Sequence, residues 1–246
     1  MIRAISFDVW DCLLVDDSDE PKRAALGMRP KVVARREAFV AEVLRHHPEL
    51  REAAPKAWDD ATAWAEHRWH QECYTPMVPE RLAHAYGALG IERTPGYGEL
   101  VHGLEHMEVT TPPDPAPGVH RMLEVLVQRY ALAIVSDAIV TPGPGLRQIL
   151  GRHGLAHYFQ FLGFSDELGA SKPASTGFER VCGAFGITGS ELVHVGDRLE
   201  KDVVGARSIG ARGVLYTGVK DRGGAEDADA HCAHWHDFAD VLEAMD

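Results

Sequence analysis

The chain has 246 residues, of which 45% are hydrophobic and 25% charged, and this suits one large globular domain or a domain with a substantial insertion. Its formal net charge of −12 argues against nucleic acid or an anionic membrane surface as a partner. No apolar run approaches the roughly 20 residues of a membrane span, Asp8 and Asp11 interrupt the apolar N-terminus, and the cysteines form no CxxC pair, so we predict a cytoplasmic protein without a signal peptide.

Short apolar runs and helical patterns alternate along most of the chain. The apolar runs predict strands at 2–8, 131–136, 160–164, 192–195 and 213–216. Such near-continuous apolar runs are typical of a parallel sheet that is buried on both faces. Helical patterns follow near 118–129, 143–152, 174–185, 200–209 and 237–245. The alternation predicts an α/β fold with a doubly wound, Rossmann-like parallel sheet.

The region from about 15 to 110 interrupts this alternation. It has helical periodicity and no convincing strand, and it places Trp58 and Trp69 on one helical face, where we expect them to be core rather than substrate wall. The proline-rich segment TTPPDPAPG at 110–118 is typical of a hinge. We therefore predict a sheet domain formed by 1–14 and 114–246, and an inserted, all-helical domain formed by 15–113.

Polar residues follow four of the predicted strands at the point where each strand ends. Ligands of open parallel sheets bind beyond the carboxyl ends of the strands, so these residues are expected to converge. Oxygen ligands suit a hard divalent cation, which Asp8 and Asp197 would share. A carboxylate beside a lysine and a metal is a plausible nucleophile. The converging residues are Asp8, Ser136, Asp137, Lys172, Asp197 and Asp202.

Four motifs in this order resemble those of the haloacid dehalogenase superfamily: FDVWDCLL, IVSDAIVTPG, GASKP and HVGDRLEKDVVGA. The resemblance covers about 1–14 and 114–246, and it implies a helical cap of the type IA kind over 15–113. It implies a nucleophile at Asp8 that forms an aspartyl intermediate, and it makes Ser136 and Lys172 ligands of the transferred group. It further implies a Mg²⁺ ligated by Asp8, by Asp197 and by the backbone carbonyl of Trp10. Asp202 is expected to join the metal site, to orient Lys172 or a metal-bound water, or to be a charge on the helix surface. Asp137 is a further substrate-binding candidate.

The first motif departs from the pattern of the superfamily's phosphatases. These mostly carry DxD, whereas this chain has DVW, so Trp10 replaces the usual acid–base carboxylate. Haloacid dehalogenases have an aromatic residue there, but they need no metal and alter the acidic pair that GDRLEKD keeps. Removal of a general acid costs about 10²–10⁴ in rate, which a good leaving group or a proton from Asp11 or the cap would offset. We favour a Mg²⁺-dependent phosphatase of a small phosphorylated metabolite, with a metal-free C–X hydrolase and a degenerate binding protein as alternatives.

A basic segment, PKRAALGMRPKVVARR, begins the predicted cap of this acidic protein. It is either a solvated helix face or a cationic gate that recognises a phosphate or carboxylate of the substrate. Arg23 is the substrate-binding candidate that we name from it. The sequence leaves the substrate open, and it is compatible with a monomer or a homodimer.

Overall fold

A computed structural model describes residues 1–245 and contains a six-stranded, fully parallel sheet. The strand order is β3-β2-β1-β4-β5-β6, so the N-terminal strand lies near the centre, as in a doubly wound α/β fold. Five strands match the predicted runs, and no bounds were predicted for the sixth. The strands are β1 (Ala4–Phe7), β2 (Ala131–Ser136), β3 (Phe161–Phe164), β4 (Leu192–Gly196), β5 (Arg212–Tyr216) and β6 (Ala230–Cys232).

Burial explains why these runs form the sheet. Every residue of β1 is buried, and Phe7 lies between Ile134 of β2 and Val195 of β4 in the parallel register. Apolar side chains cover both faces of the central strands, which is the condition for a parallel sheet. Since β1, β2 and β4 run in the same direction, their carboxyl ends meet at one edge.

Helices cover both faces of the sheet after β2. The predicted helix near 200–209 is a wide π-helical segment, Leu199–Val204, followed by one short α-helix. The π-helical segment follows the end of β4 and contains Lys201 and Asp202, and such segments are frequent at functional sites. The helices of this part are α7 (Val119–Leu126), α8 (Gly143–Arg152), α9 (Ser165–Leu168), α10 (Thr176–Phe185), α11 (Gly205–Arg207) and α12 (Phe238–Met245).

The segment between β1 and β2 is helical and forms no named strand in the described chain. Its apolar side chains form a core of their own, with Phe39 packed on Trp58 and Tyr86. The helices are α1 (Glu20–Ala25), α2 (Lys31–His46), α3 (Ala53–Gln71), α4 (Val78–Leu89), α5 (Tyr97–Glu105) and α6 (Met107–Thr110). We refer to these six helices as the insertion.

The chain enters and leaves the insertion through two adjacent segments. The Val15 N–H donates to the Asp114 carbonyl at 2.8 Å, and the Ala116 N–H donates to the Leu13 carbonyl at 2.9 Å. The second segment belongs to the proline-rich stretch from which we predict a hinge. These two hydrogen bonds hold the beginning and the end of the insertion next to each other, close to the end of β1. Among residues 1–245, no helix has both the length and the apolar character of a membrane span.

Candidate active site

Asp8 follows β1 and lies at the centre of the polar edge of the sheet. Its backbone N–H donates to the Val195 carbonyl at 2.8 Å, and its side chain is buried. The Lys172 ammonium lies 2.8 Å from Asp8 Oδ1. Burial raises the pKa of Asp8, Lys172 opposes that rise, and Asp202 adds to it. Asp8 is therefore a desolvated carboxylate held beside a single cation.

Lys172 is fixed by a buried polar chain beneath the site. Its ammonium donates to Asp202 Oδ1 at 2.5 Å, and the Nε2 of His194 lies 3.2 Å from the same oxygen. The Nδ1 of His194 lies 2.8 Å from the hydroxyl of Ser6 on β1. Burial alone would raise the pKa of Asp202, but Lys172 and His194 outweigh it, and the pKa lies well below its usual range. Asp202 thus orients Lys172, which is one of the roles that we expect for it, and it is not a charge on the helix surface.

The ammonium of Lys172 remains charged in this setting. Burial lowers its pKa, but Asp202 and Asp8 together raise it above the ordinary value for lysine. An ammonium shared by two buried carboxylates keeps a fixed position and a fixed charge. This is the form needed to hold an anionic group beside Asp8.

Ser136 ends β2 next to Asp8. Its hydroxyl is buried and has no satisfactory hydrogen-bond partner in the described chain. A buried hydroxyl without a partner is uncommon and calls for an acceptor from elsewhere. Ser136 and Lys172 therefore offer adjacent donors for an oxygen-rich group.

Three carboxylates converge at this edge. One oxygen from each of Asp8, Asp197 and Asp202 lies within 4.8 Å of the other two. Burial, followed by the charges of Asp8 and Asp202, raises the pKa of Asp197 to about 7. A buried set of carboxylate oxygens that repel one another is a donor set that fits a hard divalent cation.

Arg222 supplies a protein cation to the same cluster. Its Nε donates to Asp197 at 2.5 Å and its Nη2 donates to Asp11 at 2.8 Å. The second oxygen of Asp11 accepts the Asp16 N–H at 3.1 Å, and Asp11 itself has a φ of 51°. Asp11 is thus a carboxylate that fixes the loop after β1, and this geometry does not favour it as a proton donor.

Cys12, in the same loop, is completely buried. Burial, followed by the neighbouring charge of Asp8, raises the pKa of its thiol well above the usual value. A buried thiol of high pKa is a packing group and not a nucleophile at neutral pH.

Asp137 joins the sheet to the insertion. Its Oδ1 accepts the Lys172 N–H at 3.0 Å, and its Oδ2 accepts the indole N–H of Trp69 at 2.7 Å. The ammonium of Lys201 lies 4.2 Å from the centre of the Trp69 ring and 2.9 Å from the Lys172 carbonyl. Trp69 is buried, as we expect of a core residue, but it also lines the cavity beside the site, whereas Trp58 packs in the insertion core.

A cavity of about 380 Å³ lies between the insertion and this edge. Asp8, Trp10, Asp137, Lys172 and Asp197 line it, so the structure brings most of the sequence-predicted residues together. Asp202 lies beneath, and Ser136 is buried beside Asp8. The insertion contributes its own cavity-lining charges, which are Lys31, Arg35, Glu66, Arg81 and Glu108.

Arg23 is outside this cavity, which corrects its selection as a substrate-binding residue. It is buried within the insertion, and its Nε and Nη2 donate to the Arg29 carbonyl at 3.2 and 3.0 Å. Position along the basic segment did not indicate which of its cations faces the sheet. Arg35 does so, from the next helix.

The residues of the site that sequence reasoning missed include Arg81, His194, Lys201 and Arg222. Arg222 lies in the loop after β5, so the rule that ligand-binding residues follow strand ends would have identified it. Lys201 belongs to the fourth motif and follows β4, so the same rule would have identified it. No sequence signal distinguishes Arg81 from the other arginines of the insertion.

The family model for haloacid dehalogenase-like hydrolases matches residues 2–210. A phosphoserine phosphatase of Thermus thermophilus is 40% identical over 85 residues, which is 34% of this chain and 32% of that protein. The curated relatives that the chain matches are aligned over only 29–41% of their own length.

Two solved structures show the same fold along the whole chain. A HAD phosphatase from Thermococcus onnurineus superimposes with a TM-score of 0.67 at 22% identity and covers 98% of both chains. A 2-haloacid dehalogenase from Pseudomonas syringae gives 0.57 at 21% identity and covers 100% of both. At these identities the likeness concerns the fold alone.

Proposed function

Because the chain belongs to the haloacid dehalogenase-like hydrolases, we propose that it is a Mg²⁺-dependent phosphatase that forms an aspartyl-phosphate on Asp8. The observation that carries the proposal is the buried cluster of Asp8, Asp197 and Asp202 around Lys172. Three carboxylates beside one lysine match a divalent cation and an anionic substrate together. Relatives that are named phosphatases, such as the Thermus protein, support the proposed phosphatase function.

Each group has a definite task in this reaction. The carboxylate of Asp8 attacks phosphorus, and the ester P–O bond breaks, so that the leaving group departs as an alkoxide that takes a proton from water. Water then attacks the acyl phosphate, which releases inorganic phosphate and regenerates Asp8. The Ser136 hydroxyl and the Lys172 ammonium hold the phosphoryl oxygens. Asp202 and Asp137 position Lys172, from the ammonium and from the backbone respectively. Asp137 uses both its oxygens inside the protein, so we assign it to positioning and not to substrate contact.

The oxygens of Asp8 and Asp197 and the carbonyl of Trp10 would hold Mg²⁺, with Asp202 oriented toward Lys172. The bound cation would neutralise charge on the transferring phosphoryl group. The substrate is a small phosphate monoester, because the cavity measures only about 380 Å³ and is lined by many charged groups.

A dehalogenase activity remains the second candidate, and Trp10 is the observation that favours it. The indole is half-buried and lines the cavity. It stands where phosphatases of the haloacid dehalogenase superfamily mostly carry a carboxylate. Halide needs no proton to depart. However, displacing halide gains nothing from a dense carboxylate cluster, which would repel a carboxylate substrate. Burial, followed by the charges of Asp8 and Asp202, raises the pKa of Asp197 in this cluster.

The test is one panel assayed in two buffers. Purified protein is incubated with phosphate monoesters and with 2-haloacids, in millimolar Mg²⁺ and in EDTA, and released phosphate and halide are measured. We expect phosphate release in Mg²⁺ only. Halide release in EDTA would replace the proposal with dehalogenation, and no release of either would favour the degenerate binding protein.

Mg²⁺ is expected to raise the melting temperature of the wild-type protein, because the folded state binds it and the unfolded chain lacks the site. At 100 times the Kd the gain is about 2.7 kcal/mol, or roughly 5–10 °C for a chain of this size. Asp197→Asn is expected to lose most of this response. Differential scanning calorimetry across a Mg²⁺ titration measures it.

The control for this prediction is Asp59→Asn, which changes an exposed carboxylate paired with Arg36 and keeps the cluster intact. It is expected to respond to Mg²⁺ like the wild type. A wild-type melting temperature that ignores millimolar Mg²⁺ would count against the phosphatase.

Trp10→Asp is expected to raise the turnover of phosphate esters with poor leaving groups by about 10²-fold relative to p-nitrophenyl phosphate. The carboxylic acid form of an aspartate at this position would protonate the departing alkoxide, whereas p-nitrophenolate departs without a proton. The measured quantity is the ratio of the two kcat/KM values, since misfolding lowers both together. An equal drop for both esters, in a variant that melts normally, would show that the indole itself is needed.

A further inference from the structure

Two arginines of the insertion face the cavity that contains Asp8. Arg35 belongs to α2 and Arg81 to α4, and both line the cavity. The Nε of each is buried and has no hydrogen-bond acceptor among residues 1–245. A buried donor without an acceptor is costly, and more so on a charged group. Each guanidinium therefore has one buried donor, its Nε, for which residues 1–245 provide no acceptor.

One terminal nitrogen of each guanidinium, Nη2, is held by the protein. Arg81 donates from Nη2 to the Ile139 carbonyl at 2.8 Å. Arg35 donates from Nη2 to Glu108 at 3.1 Å, and Glu108 also lies 3.2 Å from the ammonium of Lys31. Fixed side chains with a free donor form a preorganised binding group, since little rotamer freedom remains to be lost.

The charges also favour an anion at this place. No carboxylate of residues 1–245 lies within ion-pair distance of Arg81, and Glu108 is shared between Arg35 and Lys31. Burial and the neighbouring charge of Arg35 lower the pKa of Arg81 to about 10. Two adjacent cations that repel each other in a partly buried cavity are stabilised when an anion binds between them.

We propose that Arg35 and Arg81 form a subsite for a second anionic group of the substrate, a carboxylate or a phosphate that is not transferred. The inference rests on the proposed phosphatase function and deepens it by defining the substrate class as doubly acidic phosphate monoesters. Ser136 and Lys172 hold the transferred group from the sheet, and the two arginines hold the second group from the insertion. A guanidinium fork suits the paired oxygens of either anion.

The test uses esters that differ in the second group alone. 3-Phosphoglycerate carries a carboxylate where glycerol 3-phosphate carries a hydroxymethyl group. 1,3-Propanediol bisphosphate carries a phosphate where 3-hydroxypropyl phosphate carries a hydroxyl. We expect the wild type to prefer the acidic member of at least one pair in kcat/KM by about tenfold to 100-fold, and mainly through KM. The pair with the larger ratio identifies the anion as a carboxylate or a phosphate.

Substitution of either arginine by methionine removes its charge and keeps much of its length. Arg81→Met and Arg35→Met are each expected to reduce that preference by about tenfold or more, and Arg81→Lys to retain part of it. Arg36→Met is the matched control, because Arg36 neighbours Arg35 on the same helix, is exposed, and pairs with Asp59 outside the cavity. Its preference is expected to equal that of the wild type.

A wild type without preference in either pair, or a preference that survives both arginine substitutions, would overturn the subsite. A binding measurement separates this failure from failure of the phosphatase. Calorimetric titration of an Asp8→Asn protein with each ester needs no turnover, and the acidic esters are expected to bind more tightly only when both arginines are present. If no ester is hydrolysed but this difference persists, the proposed reaction is wrong and the subsite stands.

Discussion

Asp8→Asn is expected to reduce phosphate-ester turnover by about 10⁴-fold or more, because an amide cannot attack phosphorus as the carboxylate does. The fold is expected to persist, since the two side chains are nearly isosteric and Lys172 keeps its ion pair with Asp202. Burial raises the pKa of Asp8 and the charge of Asp202 adds to it, so the native fold disfavours the ionised carboxylate. In EDTA the variant should therefore melt at the wild-type temperature or above.

Two measurements check this result. Steady-state kinetics on the best ester of the panel gives the loss, with Asp59→Asn as the control for an exposed aspartate. Beryllofluoride, a mimic of the acyl phosphate, should bind the wild type and fail to bind Asp8→Asn. Turnover that persists in two independent preparations would remove Asp8 as nucleophile and direct attention to Asp11.

Lys172→Met is expected to have the largest effect on stability. The ammonium lies 2.8 Å from Asp8 and 2.5 Å from Asp202, and all three groups are buried. Removing one partner of a buried ion pair leaves an uncompensated charge and costs about 3–5 kcal/mol. For a chain of this size the melting temperature in EDTA should fall by roughly 6–20 °C. Phosphatase activity should be lost as well, because the ammonium binds the transferred group.

Lys22→Met is the matched control for this substitution. Lys22 pairs with Asp114 at 2.6 Å, but both side chains are exposed, and such pairs contribute at most about 1 kcal/mol. Mg²⁺ is expected to recover more melting temperature in Lys172→Met than in the wild type, since the carboxylates then lack their lysine. A fall no larger than that of the Lys22 variant would contradict the central role of Lys172.

The sheet could be predicted from the sequence because its strands are buried on both faces. Near-continuous apolar runs, such as the one that contains β2, are typical of strands that are buried on both faces. No bounds were predicted for β6 because it has only three residues, Ala230–Cys232, and lies at the edge of the sheet, where only Cys232 is fully buried. The π-helical form of Leu199–Val204 was not predicted, because six residues are too few for their apolar pattern to distinguish a π-helix from an α-helix.

The sheet side of the candidate site could be predicted for the same geometric reason. Parallel strands bring their carboxyl ends to one edge, so Asp8, Lys172 and Asp197 had to be neighbours once the strands were known. The partners of those groups could not be predicted. Asp202 Oδ2 accepts the Arg198 N–H at 2.9 Å, and Asp202 Oδ1 accepts from the Lys172 ammonium. This orientation depends on the π-helical segment after β4, which the sequence did not predict.

The sequence by itself determined the fold class and the carboxylates and lysine that follow the strand ends, because parallel strands bring such residues to one edge of a sheet. Only the tertiary structure decided which charges of the insertion face Asp8. Arg23 and Arg35 lie in one basic segment, yet the first is buried away from the cavity and the second lines it together with Arg81. The physical reason is that helix packing within the insertion sets the direction of each side chain, and a charge pattern along one helix contains no information about what packs against it.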